Sequence, residues 1–203
     1  GRFYRPGGNF TNTVSFSKGF GDDGSTRFSV SNLNDESYVP NAGLKRLTFN
    51  QTTNLKLGKN LTLDLYSQYV TEYTKNAPNV SDAVGNLNWG PMFVPPNINI
   101  KTLAGPNGDG TVAGDSRLEL NPFSDPYTTN PYFAAYQLQG AIHRNRFTGA
   151  ANLKYTFDSG YFIGFQVADD YSNDRNTNIE PAGTGYLVDQ SITGDIFEQN
   201  VKQ

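Results

Sequence analysis

The chain has 203 residues, a net charge of -3, no cysteine and a single histidine, which excludes disulfides, thiolate metal sites and paired-histidine sites and offers no basic stripe for nucleic acid. A 13% share of aromatic residues, with 21 glycines and 11 prolines, favours strands and turns over long helices, because pleated surfaces accommodate large flat side chains. No apolar run of about 18 residues is present to cross a membrane as a helix. A mean hydropathy of -0.56 leaves a barrel open, since half of each barrel strand faces water.

In chain order, Gly1 to Asn9, with Pro6-Gly7-Gly8, reads as irregular. Phe10, Asn12, Val14 and Phe16 share a parity opposed by Thr11, Thr13, Ser15 and Ser17, which predicts a first strand to about Phe20. Gly21 to Gly24 is a tight turn, Arg27 to Asn32 a second strand, and Leu33 to Gly43 a longer connection. A third strand carries Leu47, Phe49, Leu55 and Leu57 on one parity, interrupted by Gln51 and Thr53. After the turn Gly58 to Asn60, a fourth sets Leu61, Leu63, Leu65, Tyr69 and Tyr73 against Thr62, Asp64, Tyr66, Gln68 and Glu72.

From Thr74 to Ile142 the alternation dissolves, and a connection so far beyond about 15 residues is functional or disordered as a rule. Ser81 and Asp82 predict a short helix near Asn79 to Val84. The clearest unit is the hairpin Asn145 to Val167: Phe147, Gly149, Ala151, Leu153, Tyr155 and Phe157 form one face, Asp158-Ser159-Gly160 turns the chain, and Tyr161, Ile163, Phe165 and Val167 resume the pattern. Each arm has roughly 10 residues, enough to cross a hydrocarbon layer when tilted. A loop from Ser172 to Gly183 and a last strand around Tyr186 to Phe197 complete the reading.

Short and long connections thus alternate strictly. In an up-and-down sheet this puts all tight turns at one end and all long loops at the other, the asymmetry of an outer-membrane barrel. Seven strands cannot close such a barrel, which needs an even number of at least about eight. The chain also starts at Gly1 without a leader, and its only methionine is Met92, so it reads as processed or as a fragment.

Several phrases carry a resemblance: Val14-Ser15-Phe16-Ser17-Lys18-Gly19 ahead of Arg27-Phe28-Ser29-Val30-Ser31-Asn32, the junction Val39-Pro40-Asn41-Ala42-Gly43-Leu44-Lys45-Arg46, Asn145-Arg146-Phe147, Leu57-Gly58-Lys59-Asn60-Leu61, and Asp169-Asp170-Tyr171-Ser172-Asn173-Asp174. In order and spacing they resemble the barrel region of SusC/RagA-family TonB-dependent outer-membrane transporters. The resemblance implies an all-β fold, with residues 1–203 an incomplete segment of one TonB-dependent receptor β-barrel domain: about seven strands of a 22-stranded antiparallel transmembrane barrel with long extracellular loops. It further implies residence in the bacterial cell outer membrane, no enzymatic activity, and import of oligosaccharides or peptides with a SusD-like surface lipoprotein. TonB would supply energy through a plug and a TonB box, neither visible here, which would lie upstream of Gly1. The alternative is a secreted β-rich carbohydrate-binding or adhesion module.

In the long loop Trp89, Tyr127, Tyr132, Phe133 and Tyr136 are the candidates for substrate or partner contact, since amphipathic aromatics contribute heavily at interfaces. The competing reading is that they pack the loop against itself or form an aromatic girdle. Leu63, Leu65, Leu153, Tyr155, Ile163 and Phe165 are expected to face outer-membrane lipid. Asp64 and Glu72 share a polar strand face that reads as a wet lumen. Asn107-Gly108-Asp109-Gly110 has Gly105 where a calcium loop needs an acid, so it reads as a turn. Adjacent Asp169 and Asp170 point to opposite faces, which argues against paired catalytic carboxylates. His143 has no nucleophile elbow near it, and no cofactor or catalytic residue is predicted.

Overall fold

The computed structural model describes residues 2–81, 83–121, 123, 125, 127–185 and 193–203. Alternation of apolar and polar residues produces an antiparallel meander: β1 (Gly8–Gly19), β2 (Gly24–Glu36), β3 (Gly43–Lys56), β4 (Leu61–Lys75), β7 (Gln139–Thr156), β8 (Phe162–Glu180) and β9 (Asp195–Lys202), hydrogen-bonded in that order. Between β4 and β7 the chain leaves the sheet to form α1 (Trp89–Phe93), a separate hairpin of β5 (Thr111–Val112) and β6 (Asp115–Glu119), and α2 (Pro131–Tyr136). The fold is therefore all-β in the main. The sheet is open, with β1 and β9 as its edges, so the described residues form no closed barrel.

The strands run further than alternation predicts. β8 continues through Ser172 to Glu180, where a loop is expected, because Arg144, His143 and Gln139 of β7 pair with Asp174, Arg175 and Ile179. Polar residues on both faces hide a period of two, while the backbone ladder is indifferent to them. Likewise β2 extends to Glu36, leaving Ser37 to Ala42 as the connection. The last strand is Asp195–Lys202, and the expected stretch from Tyr186 to Ile192 lies outside the described residues. The described residues of the stretch Asn79 to Val84 are not helical: Ser81 has φ 55°, a left-handed value that interrupts a helix, and Asp82 is outside the described residues.

Register assigns each side chain to a face. Val14, Val30, Phe49, Tyr69, Phe147 and Tyr171 are directly opposite one another across six strands. The same face carries Leu63, Leu153 and Phe165 in one row, Tyr155 and Ile163 in the next, and Leu65 beside Ala151 and Val167. The other face is mostly polar, from Thr13 and Ser15 in β1 to Asp170 and Asp174 in β8, with Tyr66, Val70 and Phe162 among its apolar members. No second layer covers either face among the described residues; Val14 is 76% exposed and Phe165 68%.

The apolar band is not level with the rows of the register. Phe10, Val14 and Phe16 centre on Val14 in β1, whereas Ile163, Phe165 and Val167 centre on Phe165 in β8. Val14 is in register with Tyr171, so the centre has moved six residues along the strand over the five steps from β1 to β8. At about 3.4 Å per residue and about 4.8 Å per step, the band slants by about 40° to the rows.

Buried apolar side chains gather at the loop end rather than under the sheet. Phe3, Val39, Ala42, Leu87, Phe133, Ala134, Ala135 and Leu138 form one core, with Val84, Ile100 and Tyr132 against it. It joins the N-terminal segment, the β2–β3 connection and the β4–β7 excursion into one cap.

Candidate functional site

Two groups of residues have the geometry of function: a charged ladder on the polar face, and the cap. In the ladder Arg46, Glu72, Arg144 and Asp174 are direct cross-strand neighbours on β3, β4, β7 and β8. Their signs alternate, which is the favourable arrangement for facing charges. Arg46 donates Nε to Glu72 at 2.6 Å, and Arg144 donates Nε and Nη2 to Asp174 at 2.9 and 2.7 Å, with Arg144 Nη1 4.0 Å from Glu72. One row on, Arg146 forms a two-pronged pair with Asp170, which also accepts from Thr148. Such forked pairs fix both guanidinium planes. A depression of about 380 Å³ is lined by Arg144, Arg146, Asp170, Ser172, Asp174 and Gln203.

The rest of this face continues as hydrogen-bonded pairs, Asn54 with Asp64, Gln68 with Asn50 and Thr13 with Ser31. It offers fixed donors and acceptors to a hydrophilic solute. His143 is on the opposite face, its ring 4.6 Å from that of Tyr73. Asp169 and Asp170 point to opposite faces as well, Asp170 being held by Arg146.

The cap is built from asparagines that satisfy loop backbone. Asn130, fully buried, donates to the carbonyls of Leu103 and Leu120 and accepts from Tyr132 N–H, capping α2 ahead of Pro131. Asn41 and Asn76 both donate to the Ala135 carbonyl, which fastens α2 to the ends of β3 and β4. Gly110 sits at φ 84° with Phe133 so close that a Cβ there would lie 2.3 Å from its nitrogen. Only glycine meets both conditions. Asp109 accepts from Thr111 and Gln137; burial works against its charge, but these bonds hold it below the ordinary aspartate value. The stretch 107–110 is a turn.

Glu119 ties the cap to the β8–β9 connection. One carboxylate oxygen accepts from Asn130 N–H and the other from Gly185 N–H, each at 2.5 Å, while its own N–H donates to the Gly183 carbonyl. Burial pushes the Glu119 carboxyl up to about 7, the two backbone N–H groups pulling the other way.

The five aromatic candidates divide. Phe133 is fully buried in the core, so its side chain has no surface to present. Tyr132 is half-buried edge-on to Phe3 at 5.3 Å. Trp89 is half-buried, 4.8 Å from Phe93. Tyr127 and Tyr136 are exposed. The cap thus unites the five in one region without aligning them as a single stacking platform. The six residues expected to face lipid do share one face, with Leu63 and Leu65 half-buried by neighbours and the other four exposed. Sequence reading missed the ladder beyond Glu72, although Arg144, Arg146, Asp170 and Asp174 share a parity that a face-by-face charge count would have found. Glu119 carries no sequence signal, since its role depends on two distant loops meeting.

No known protein family and no curated protein matches this chain.

Proposed function

We propose that this chain is a stretch of the wall of a transmembrane β-barrel in the bacterial outer membrane, belonging to a nutrient importer of the SusC/RagA type. The carrying observation is the apolar band slanted by about 40° to the register, which coincides with the roughly 35–45° strand tilt of membrane barrels. A soluble sandwich buries its apolar face against a second sheet with strands nearly aligned and has no reason to slant the band. Three further features support the reading. The face behind the band is mostly polar, with hydrogen-bonded side-chain pairs suited to a water-filled lumen, and the tight turns share one end while the long connections share the other. The open edges of β1 and β9 call for further strands, because unpaired backbone is costly in lipid.

The band is interrupted at its centre by Thr26, Gln51, Thr53 and Ser67, yet these bond one another: Thr26 to Thr53 at 2.6 Å, Gln51 to Thr53 at 2.8 Å and Ser67 to Gln51 at 3.0 Å. Polar side chains satisfied among themselves are tolerable against hydrocarbon. The wall has no catalytic role; the cap faces the exterior, where a SusD-like lipoprotein and an oligosaccharide or peptide would meet it. TonB would act through parts outside this segment.

The test attaches a fluorophore singly at Phe165 and at Gln166 of the full-length protein in lipid. Quenchers carried on acyl chains should dim position 165 and spare 166, and aqueous quenchers the reverse. Equal aqueous quenching at both positions, in a protein that needs no detergent, would return the chain to a secreted β-rich binding module. For the importer itself, deletion of residues 78–137 should abolish substrate uptake while the barrel still assembles.

A further inference from the structure

On the apolar side of the sheet, just beyond the band at the loop end, the register places Lys45, Tyr73, His143 and Arg175 in one row across β3, β4, β7 and β8. Lys75, one row higher, is on the same side, as are Asn34 and Glu36. Of these, Lys45, Tyr73, Lys75, Asn34 and Glu36 line a cavity of about 310 Å³ together with Arg5, Asp35 and the stretch Asn41 to Leu44, and His143 and Arg175 continue the row beside it. Arg5 Nε donates to the Ser37 carbonyl and Lys75 Nζ to Asn41 Oδ1 at 2.6 Å, so both cations are held in place by neutral partners. Lys45 is exposed, and among the described residues no carboxylate is paired with it. Arg175 is paired with Glu198 at 2.5 Å. Three cations therefore line this cavity against two acids, Glu36 on the same side of the sheet and Asp35, whose parity in β2 is that of the polar face, while Arg175 and Glu198 neutralise each other beside it.

We infer that this rim is a docking surface for the phosphate-bearing headgroup of a membrane lipid, with Arg5, Lys45 and Lys75 taking the phosphate. The inference rests on the membrane reading of the band. Phe49, Tyr69 and Phe147, in the row next but one below Lys45, Tyr73 and His143, present an apolar surface on which the acyl chains of the same molecule would lie. An excess of positive charge directly above apolar surface is complementary to an anionic amphiphile in both halves. A free anion would use only the upper half. Tyr73 and His143 supply ring faces at the boundary, where aromatic groups with a polar end are favoured.

The test reconstitutes the full-length protein in phosphatidylcholine nanodiscs doped with a fluorescent phosphatidylglycerol and reads enrichment of that lipid at the protein. Enrichment over a zwitterionic probe is expected, falling about fivefold for each of Lys45→Ala and Lys75→Ala. Lys45→Arg should retain it, and Lys154→Ala, on the polar face near the tight turns, should leave it unchanged. Absence of enrichment in an inserted protein would overturn the headgroup site while leaving the membrane reading intact. Inorganic phosphate displacing the lipid at equal phosphate concentration would overturn the lipid as occupant. Failure of the protein to enter the disc at all would overturn both.

Discussion

Glu119 sits where two loops meet, with both oxygens committed to backbone N–H groups and a carboxyl pushed from 4.5 to about 7 by burial. Folding favours its neutral form. Its contribution is therefore whole below about pH 4.5 and is lost as pH rises through about 7, amounting to about 3 kcal/mol of local stability. Amide exchange at Asn130 and Gly185, corrected for intrinsic rates, should show greater protection at about pH 5 than at about pH 8; protection that grows with pH would refute this. Glu72 makes a different case, since it takes Arg46 closely and Arg144 at longer range while nearly buried itself. Glu72→Ala leaves Arg46 without its carboxylate, and because Arg46 is half-exposed the cost should be about 1–3 kcal/mol, read as a lowered urea midpoint. An unchanged midpoint would mean that water replaces the pair fully. The polar parity of Glu72 is legible in sequence. That of Glu119 is not, because nothing local distinguishes a clasp from an ordinary exposed acid on a short strand.

At the scale of elements, the strands whose faces differ in chemistry were legible and those whose faces match were not. Leu61 to Tyr73 and Phe147 to Val167 show the period of two because one side is apolar. Ser172 to Glu180 is strand by virtue of its partner, with polar side chains such as Asp174 and Asn176 on one side and Asn173 and Thr177 on the other. The cap was legible only as an interruption. Its order comes from long-range contacts such as Asn41 to Ala135 and Gly110 to Phe133, which no short window contains. Phe133 belongs to that packing. Phe133→Ala should destabilise the cap by about 3–5 kcal/mol and raise proteolysis within residues 76–138, while the protected amides of β7 and β8 stay protected. Tyr127→Ala, at an exposed position, should leave cap stability within about 0.5 kcal/mol. If both variants weaken the sheet equally, cap and sheet are one cooperative unit rather than two.

For the whole molecule, the slant of the band separates two pictures that the register alone leaves equivalent. Val14 and Tyr171 are in one row, so a sheet whose apolar face is level with its rows would suffer equally from a charge at either. In a tilted wall Val14 and Phe165 are both at mid-depth, and Leu153, opposite Phe165, is close to it. Tyr171, six residues from Phe165, has risen to the edge. An arginine at the midplane of a membrane barrel costs about 2–4 kcal/mol and near an interface about 0–1 kcal/mol. Val14→Arg, Leu153→Arg and Phe165→Arg should therefore each lower the unfolding free energy of the lipid-embedded full-length protein by about 2–4 kcal/mol, and Tyr171→Arg by no more than about 1 kcal/mol. Asn152→Arg, one residue away on the polar face, should cost little. Equal costs at Val14 and Tyr171 would remove the tilt and with it the main support for a membrane wall. A graded cost that follows the band across β1, β7 and β8 has no counterpart in a soluble sheet, where depth is set by the facing layer and not by a plane oblique to the strands.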